Sequence, residues 1–160
     1  MTAARLRIGA TVSGSTAAQM PSTGLIVGTG ALGTLFAARL TQAGYHITLL
    51  GTWKEGIEAL STKGARLIDA NGTEHQFEVH ATDHPHDCVG TKFALVLVKA
   101  WQTGRAAEQL KECLAADGLA VTLQNGLGNY ETLTQGLGVN RVALGTITVG
   151  ATLLGPGLVK

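Results

Sequence analysis

The sequence predicts a doubly wound, mainly parallel α/β sheet with helices on both faces. Three observations predict it. From Gly24 onward, short apolar β-type runs alternate with segments of helical period. One of those runs, Phe93–Val98, is apolar without interruption, as in a strand covered on both sides, and Leu119–Leu123 reads as another buried strand. Glycines recur where strands end and helices begin.

The elements follow in order. Residues 1–23 carry Arg5 and Arg7 among Ala, Ser, Thr and Gly without an acid or a sustained apolar period, and read as a flexible tail. A basic, acid-free tail is also compatible with an organelle transit peptide, and Met20 is an alternative start to Met1. Residues 24–160 form the folded unit. Leu25, Ile26 and Val27 make the first strand; Leu32, Leu35, Phe36, Leu40 and Ala43 recur at helical spacing, and Gly44 ends that helix. His46–Leu50 is a second strand, followed by a shorter helix through Ile57 and Leu60. Residues 65–81 alternate around Asn71-Gly72, the signature of a hairpin. After a polar loop, Phe93–Val98 is a central strand. Ala106, Ala107, Leu110, Cys113 and Leu114 form a helical stripe closed by Gly118, and Leu119–Leu123 is the next strand. A short helix around Tyr130–Leu133 and a strand region over Val142–Ala151 lead to the Gly155-Pro156-Gly157 turn.

Composition narrows the function classes. The 160 residues carry 12 Lys+Arg against 11 Asp+Glu, a net charge of +1, so the chain has no global charge for nucleic acid or an anionic membrane. No apolar run approaches the roughly 18 residues of a membrane span. Hydrophobic residues at 45% and charged residues at 14% describe a chain with a large core. Cys88 and Cys113 are too far apart for a CxxC motif, and a single pair is a poor disulfide framework. Reduced thiols and a cytoplasmic location are expected.

Gly28-Thr29-Gly30-Ala31-Leu32-Gly33 is a GxGxxG segment that leaves a strand and opens a helix, the context of a Rossmann-type dinucleotide site. Gly28 permits the sharp turn, Gly30 lets backbone approach a pyrophosphate, and Gly33 lets helix and strand pack closely. The free amides and dipole of the helix start attract the phosphates. An NAD site usually has an acid about 20 residues on, for the ribose hydroxyls. No carboxylate occurs between Gly28 and Lys54, and the second strand runs out into Thr52 and Lys54, a hydroxyl and an ammonium suited to a 2′-phosphate. NADP(H) is the expected cofactor.

Ligands of open parallel sheets bind outside the carboxyl ends of the strands, which here are marked by Lys99 and Asn125. A lysine ammonium beside a substrate carbonyl stabilises the alkoxide that develops as hydride arrives, and a carboxamide can hold the substrate in place. Both residues are candidates to bind substrate and cofactor, and Lys99 is the candidate catalytic group.

GTGALG at 28–33, LVKAWQT at 97–103, QNGLGN at 124–129 and GTITVGA at 145–151 together resemble the N-terminal domain of the ketopantoate reductase (2-dehydropantoate 2-reductase) family. The resemblance covers residues 24–160. It implies NADPH-dependent reduction of a 2-oxo acid, 2-dehydropantoate, to pantoate on the route to pantothenate and coenzyme A. The family's lysine falls on Lys99 and its substrate- and cofactor-contacting asparagine on Asn125. Many members place an arginine at the position of Thr52 to grip the 2′-phosphate, so that contact must come here from Thr52, Lys54 or elsewhere. The family also has a helical C-terminal domain bearing its acidic catalytic residue. By that pattern the chain stops before that domain, short of its last nucleotide-domain strand, and is expected to be weakly active or inactive by itself. An unpaired edge left over Val142–Lys160 would favour pairing between chains, giving a homodimer.

Three rival readings are weaker. His80, Asp83, His84, His86, Asp87 and Cys88 are chemically able to bind a metal, but their spacing fits no standard pattern and a solvated loop is the default, so no metal site is expected. A short-chain dehydrogenase needs a Tyr with Lys four positions on, whereas Tyr45 is followed there by Leu49 and Tyr130 by Thr134. A non-catalytic dinucleotide-sensing module would not need Lys99 and Asn125 at the reacting end.

Overall fold

The computed structural model describes residues 23–160. The expected tail lies outside the described residues except for Thr23, which already opens the first strand, two residues before the expected start at Leu25. In chain order the elements are β1 (Thr23–Val27), α1 (Ala31–Gln42), β2 (His46–Leu50), α2 (Lys54–Lys63), β3 (Ala65–Ile68), β4 (Glu74–Phe77), β5 (His80–Thr82) and β6 (Thr91–Val96). Then come α3 (Thr103–Cys113), β7 (Leu114–Thr122), α4 (Asn129–Leu137), β8 (Val142–Leu144), β9 (Leu153–Gly155) and β10 (Leu158–Val159).

Six strands form one sheet in the order β5-β2-β1-β6-β7-β8, with every pairing parallel. The chain builds outward from β1 to β5, then returns to lay β6 on the other side of β1. That reversal leaves a crevice above the carboxyl end of β1. The register brings its rims level, because Val27 is paired with Leu50 on one side and Val96 on the other. The segments that follow, from Gly28, Gly51 and Leu97, therefore emerge together.

Two-residue alternation splits the core between the faces of the sheet. Leu25, Val27, Ala94 and Val96 pack with Ala106, Leu110, Leu133 and Leu137 of α3 and α4. Ile26, Leu95 and Leu97 pack with Ala37, Ala38 and Leu60 of α1 and α2. Strands buried on both faces read as continuous apolar runs, which is why β6 was visible in the sequence.

α1 differs from its expected face. Its buried residues are Gly33, Thr34, Ala37 and Ala38, while Leu32, Leu35, Phe36 and Leu40 are only partly buried around the same cluster. Small side chains let this helix lie close to the sheet, so the larger apolar residues flank the contact instead of filling it.

The end of the chain narrows two expectations. Only Val142–Leu144 of the expected strand over Val142–Ala151 is strand. Of the edge expected over Val142–Lys160, only the last strand is covered: β10 runs parallel to β3 and antiparallel to β9 in a second sheet of order β4-β3-β10-β9, while β8 and β9 each stand at the end of their sheet. Val159 is fully buried there. The hairpin of β3 and β4 is antiparallel as its turn chemistry predicts, and the Asp69 carboxylate ties that turn by accepting the N–H groups of Asn71 and Thr73. The hydrogen bond from His75 holds Asp69 below the usual carboxylate range.

Cys88 and Cys113 are buried free thiols in the core under α3, each pushed up to about 11 chiefly by burial. Reactive thiols are thiolates, so both cysteines are packing residues. Among the described residues no group of three or more His, Cys, Asp or Glu is placed to hold a metal ion, and no helix is long and apolar enough to cross a membrane.

Candidate functional site

The crevice over β1 is a cavity of about 470 Å³. Its floor is the turn between β1 and α1, where Gly28, Thr29, Gly30, Ala31 and Leu32 line it. Gly28 has φ of +129°, and a Cβ there would stand 3.1 Å from the backbone of Leu97, so neither the conformation nor the space admits a side chain. A Cβ on Gly30 would meet nothing within 4 Å. That open space lies at the N-cap of α1, which has no side-chain cap and no acid in its first turn. The first amides of α1 are thus left for an external acceptor, with the positive end of the helix dipole behind them. Gly33 does not line the cavity. It is buried, and a Cβ on it would overlap the carbonyl oxygen of Gly28.

One wall comes from the end of β2, with Gly51, Thr52 and Trp53. A Cβ on Gly51 would stand 2.6 Å from the Thr29 side chain, and the Trp53 ring covers Gly56 so closely that a Cβ there would overlap it. The two glycines let the wall close against the turn and the indole fold back over α2. Thr52 is exposed to the cavity. Lys54, the first residue of α2, is exposed but does not line it.

The opposite wall comes from the ends of β6 and β7. Lys99 is exposed, and its backbone is drawn into a tight turn: the Lys99 N–H donates to Gln102 Oε1 at 3.1 Å and the Gln102 N–H to the Lys99 carbonyl at 2.8 Å. Asn125 is also exposed and lines the same cavity. The two loops are joined by a buried polar network. Gln124 Nε2 donates to the Val98 carbonyl and to Thr103 Oγ1, both at 2.9 Å. Thr103 Oγ1 lies 2.8 Å from Asn129 Oδ1, and Asn129 Nδ2 donates to the carbonyls of Asn125 and Gly126. Thr103 and Asn129 are 2% and 4% exposed, so these bonds act away from competing water. Gly126 and Gly128 have φ of +96° and +87°, which lets the loop turn back so that its carbonyls face Asn129.

The structure therefore gathers Gly28, Thr29, Gly30, Ala31, Leu32, Thr52, Lys99 and Asn125 around one cavity and leaves Gly33 and Lys54 outside its lining. Sequence reading missed Trp53, Gln102, Arg105 and Gln109. The last three stand at i, i+3 and i+7 along the start of α3, one face of a helix, and that polar stripe after a strand end was the available signal. The Thr103–Asn129 bond spans 26 positions and had no local signal.

Among the described residues that line the cavity, the charged ones are Lys99 and Arg105, with no Asp or Glu. A concave site with two cations and an uncapped helix start is built for an anionic ligand.

Comparison with known proteins adds the family. The family model described as ketopantoate reductase PanE/ApbA matches residues 25–160. A 2-dehydropantoate 2-reductase of Archaeoglobus fulgidus is 37% identical over 128 residues, covering 80% of this chain and 40% of the relative. One of Halobacterium salinarum is 31% identical over 137 residues, covering 85% and 45%. The chain thus spans less than half the length of these curated relatives. The fold is shared with a D-mandelate dehydrogenase solved with NADH and anilino(oxo)acetate, at a TM-score of 0.78 and 22% identity over 86% of this chain and 44% of that one.

Proposed function

This chain belongs to the ketopantoate reductase PanE/ApbA family, and from that premise we propose that it supplies the cofactor-binding half of an NADPH-dependent reductase of 2-dehydropantoate. The observation that carries this reading is the open space over Gly30 at the uncapped start of α1, inside a cavity lined by cations and no acids. A pyrophosphate fits there: it accepts the free amides of α1 and meets no Cβ. The adenosine end then lies toward Thr52, where no carboxylate claims the ribose hydroxyls or repels a 2′-phosphate.

Held over Gly28, Gly30 and Thr52, the cofactor would supply the hydride that reduces the carbonyl carbon of a 2-oxo acid. Lys99 presents its ammonium to the carbonyl oxygen and stabilises the negative charge that develops on it. The Asn125 carboxamide holds substrate or cofactor against that cation, and the Gln124–Thr103–Asn129 network fixes the distance between the two loops so that little reorganisation accompanies the reaction. The proton that completes the hydroxyl is assigned to a donor outside the lining of this cavity, which carries no Asp or Glu.

The test is titration of the chain with NADPH and NADH at one ionic strength, repeated on Thr52→Asp. The chain is expected to bind NADPH more tightly, and the added carboxylate to shift preference toward NADH by repelling the 2′-phosphate. Tighter binding of NADH by the unmodified chain overturns the NADPH assignment. Turnover is read in parallel: with 2-dehydropantoate, the chain by itself is expected to oxidise NADPH very slowly, and rapid turnover that survives Lys99→Ala removes Lys99 from the mechanism.

A further inference from the structure

The cavity has a cation that neither the glycine turn nor the family motifs point to. Arg105 belongs to the first turn of α3, and with Gln102 and Gln109 it presents one helix face to the cavity. Its guanidinium has no carboxylate or hydrogen-bond partner among the described residues. The acids of the same helix are engaged elsewhere, with Glu108 paired to Lys111 at 2.7 Å and Glu112 facing His86 at 3.9 Å. The wall from β2, where relatives of this fold commonly read the adenosine ribose, offers a hydroxyl at Thr52 and an indole at Trp53 but no charge, because Lys54 has turned onto α2 and out of the lining.

We propose that Arg105 is the specificity residue for the 2′-phosphate of the cofactor, reaching it from α3 across the cavity from Thr52. The assignment rests on the dinucleotide reading above. A guanidinium is always charged and offers parallel N–H donors that match two oxygens of a phosphate, which the compact ammonium of a lysine does not. Thr52 then contributes a neutral hydrogen bond and Trp53 an apolar face to the adenosine, while selection between a ribose hydroxyl and a ribose phosphate falls to Arg105.

The experiment compares ligands that differ only by the 2′-phosphate: NADPH against NADH, and adenosine 2′,5′-bisphosphate against 5′-AMP. Each is titrated into the unmodified chain, Arg105→Ala, Arg105→Lys and Lys54→Ala. Arg105 is exposed, so its removal is expected to leave the melting curve unchanged. Arg105→Ala is expected to weaken NADPH and the bisphosphate by about tenfold or more, and to leave NADH and 5′-AMP within about twofold of the unmodified chain. Arg105→Lys is expected to recover part of the loss, and Lys54→Ala to change little. Equal losses of NADPH and NADH in Arg105→Ala, or a larger loss of NADPH in Lys54→Ala, would overturn the assignment. A chain that binds 5′-AMP and NADH but shows no NADPH preference overturns the assignment while leaving the dinucleotide site standing. One that binds none of the four ligands overturns the dinucleotide reading itself.

Discussion

Gly33 lies so close to Gly28 that one added methyl group would overlap the carbonyl oxygen of the earlier residue. This contact seats α1 on the end of β1 and so sets the height of the helix start above the cavity floor. Because the obstacle is backbone, it cannot rotate away as a side chain would. Gly33→Ala is therefore expected to destabilise the fold by about 1–3 kcal/mol, the usual cost of overpacking. Chemical denaturation checks it, and an unchanged midpoint would mean that the helix is free to lift off the strand.

Gly30 separates binding from folding. Its backbone is extended, with φ of −86° and ψ of −163°, and its missing side chain points into open space. Valine is at ease in that conformation, so Gly30→Val is expected to keep its circular dichroism and melting curve while losing NADPH binding, since the branched side chain fills the place of the pyrophosphate. A folded variant that binds as well as the unmodified chain would place the phosphates elsewhere.

The Thr103–Asn129 pair predicts a loss at one wall of the cavity only. Asn129→Ala leaves the carbonyls of Asn125 and Gly126 without their buried donor, a cost of about 1–3 kcal/mol in stability. Thr103→Val preserves shape and removes only the hydroxyl. In that variant NADPH is expected to bind severalfold more weakly while 5′-AMP is unaffected, because the network positions Lys99, Asn125 and the start of α3 that carries Arg105, and not the wall of Thr52 and Trp53. Equal losses for both ligands in paired titrations would make the network a general support of the fold.

Cys88 and Cys113 predict a pH dependence in the alkaline range. Burial raises both thiols to about 11 in the folded chain, from an ordinary value of 9.0. The folded state therefore holds protons that the unfolded state has released, and the thiol contribution to stability is full below pH 9 and is lost as the pH rises toward about 11. Urea midpoints are expected to fall across that interval more steeply for the unmodified chain than for Cys88→Ala/Cys113→Ala. Parallel profiles would show that the thiols do not titrate with unfolding. Near pH 7 both should resist thiol reagents until the chain unfolds.

Much of this protein is determined by local sequence. A strand buried on both faces is an uninterrupted apolar run, a strand-to-helix phosphate turn needs glycines at set intervals, and a short hairpin loop needs a residue such as Gly72 where φ is positive, so β1, β2, β6, the turn at 28–33 and the hairpin of β3 with β4 were all legible in order. Lys99 and Asn125 were legible because they follow such strands. Only the tertiary structure decided what lies far apart in the chain. Parallel pairing carries no local signature of its partner, so the seating of β10 on β3, some 90 positions apart, was not legible, and it covers the last strand while β8 and β9 stay at sheet edges. Which face of α1 is buried depended on how close its small residues let it approach the sheet, a property of two surfaces and not of one period. The cavity follows the same rule. Lys54 and Arg105 are both exposed cations near helix starts, and the polar stripe that Arg105 shares with Gln102 and Gln109 does not by itself say which of the two cations faces the crevice. The order of β2, β1 and β6 in the sheet is what turns α3, with Arg105, toward the crevice and leaves Lys54 outside it.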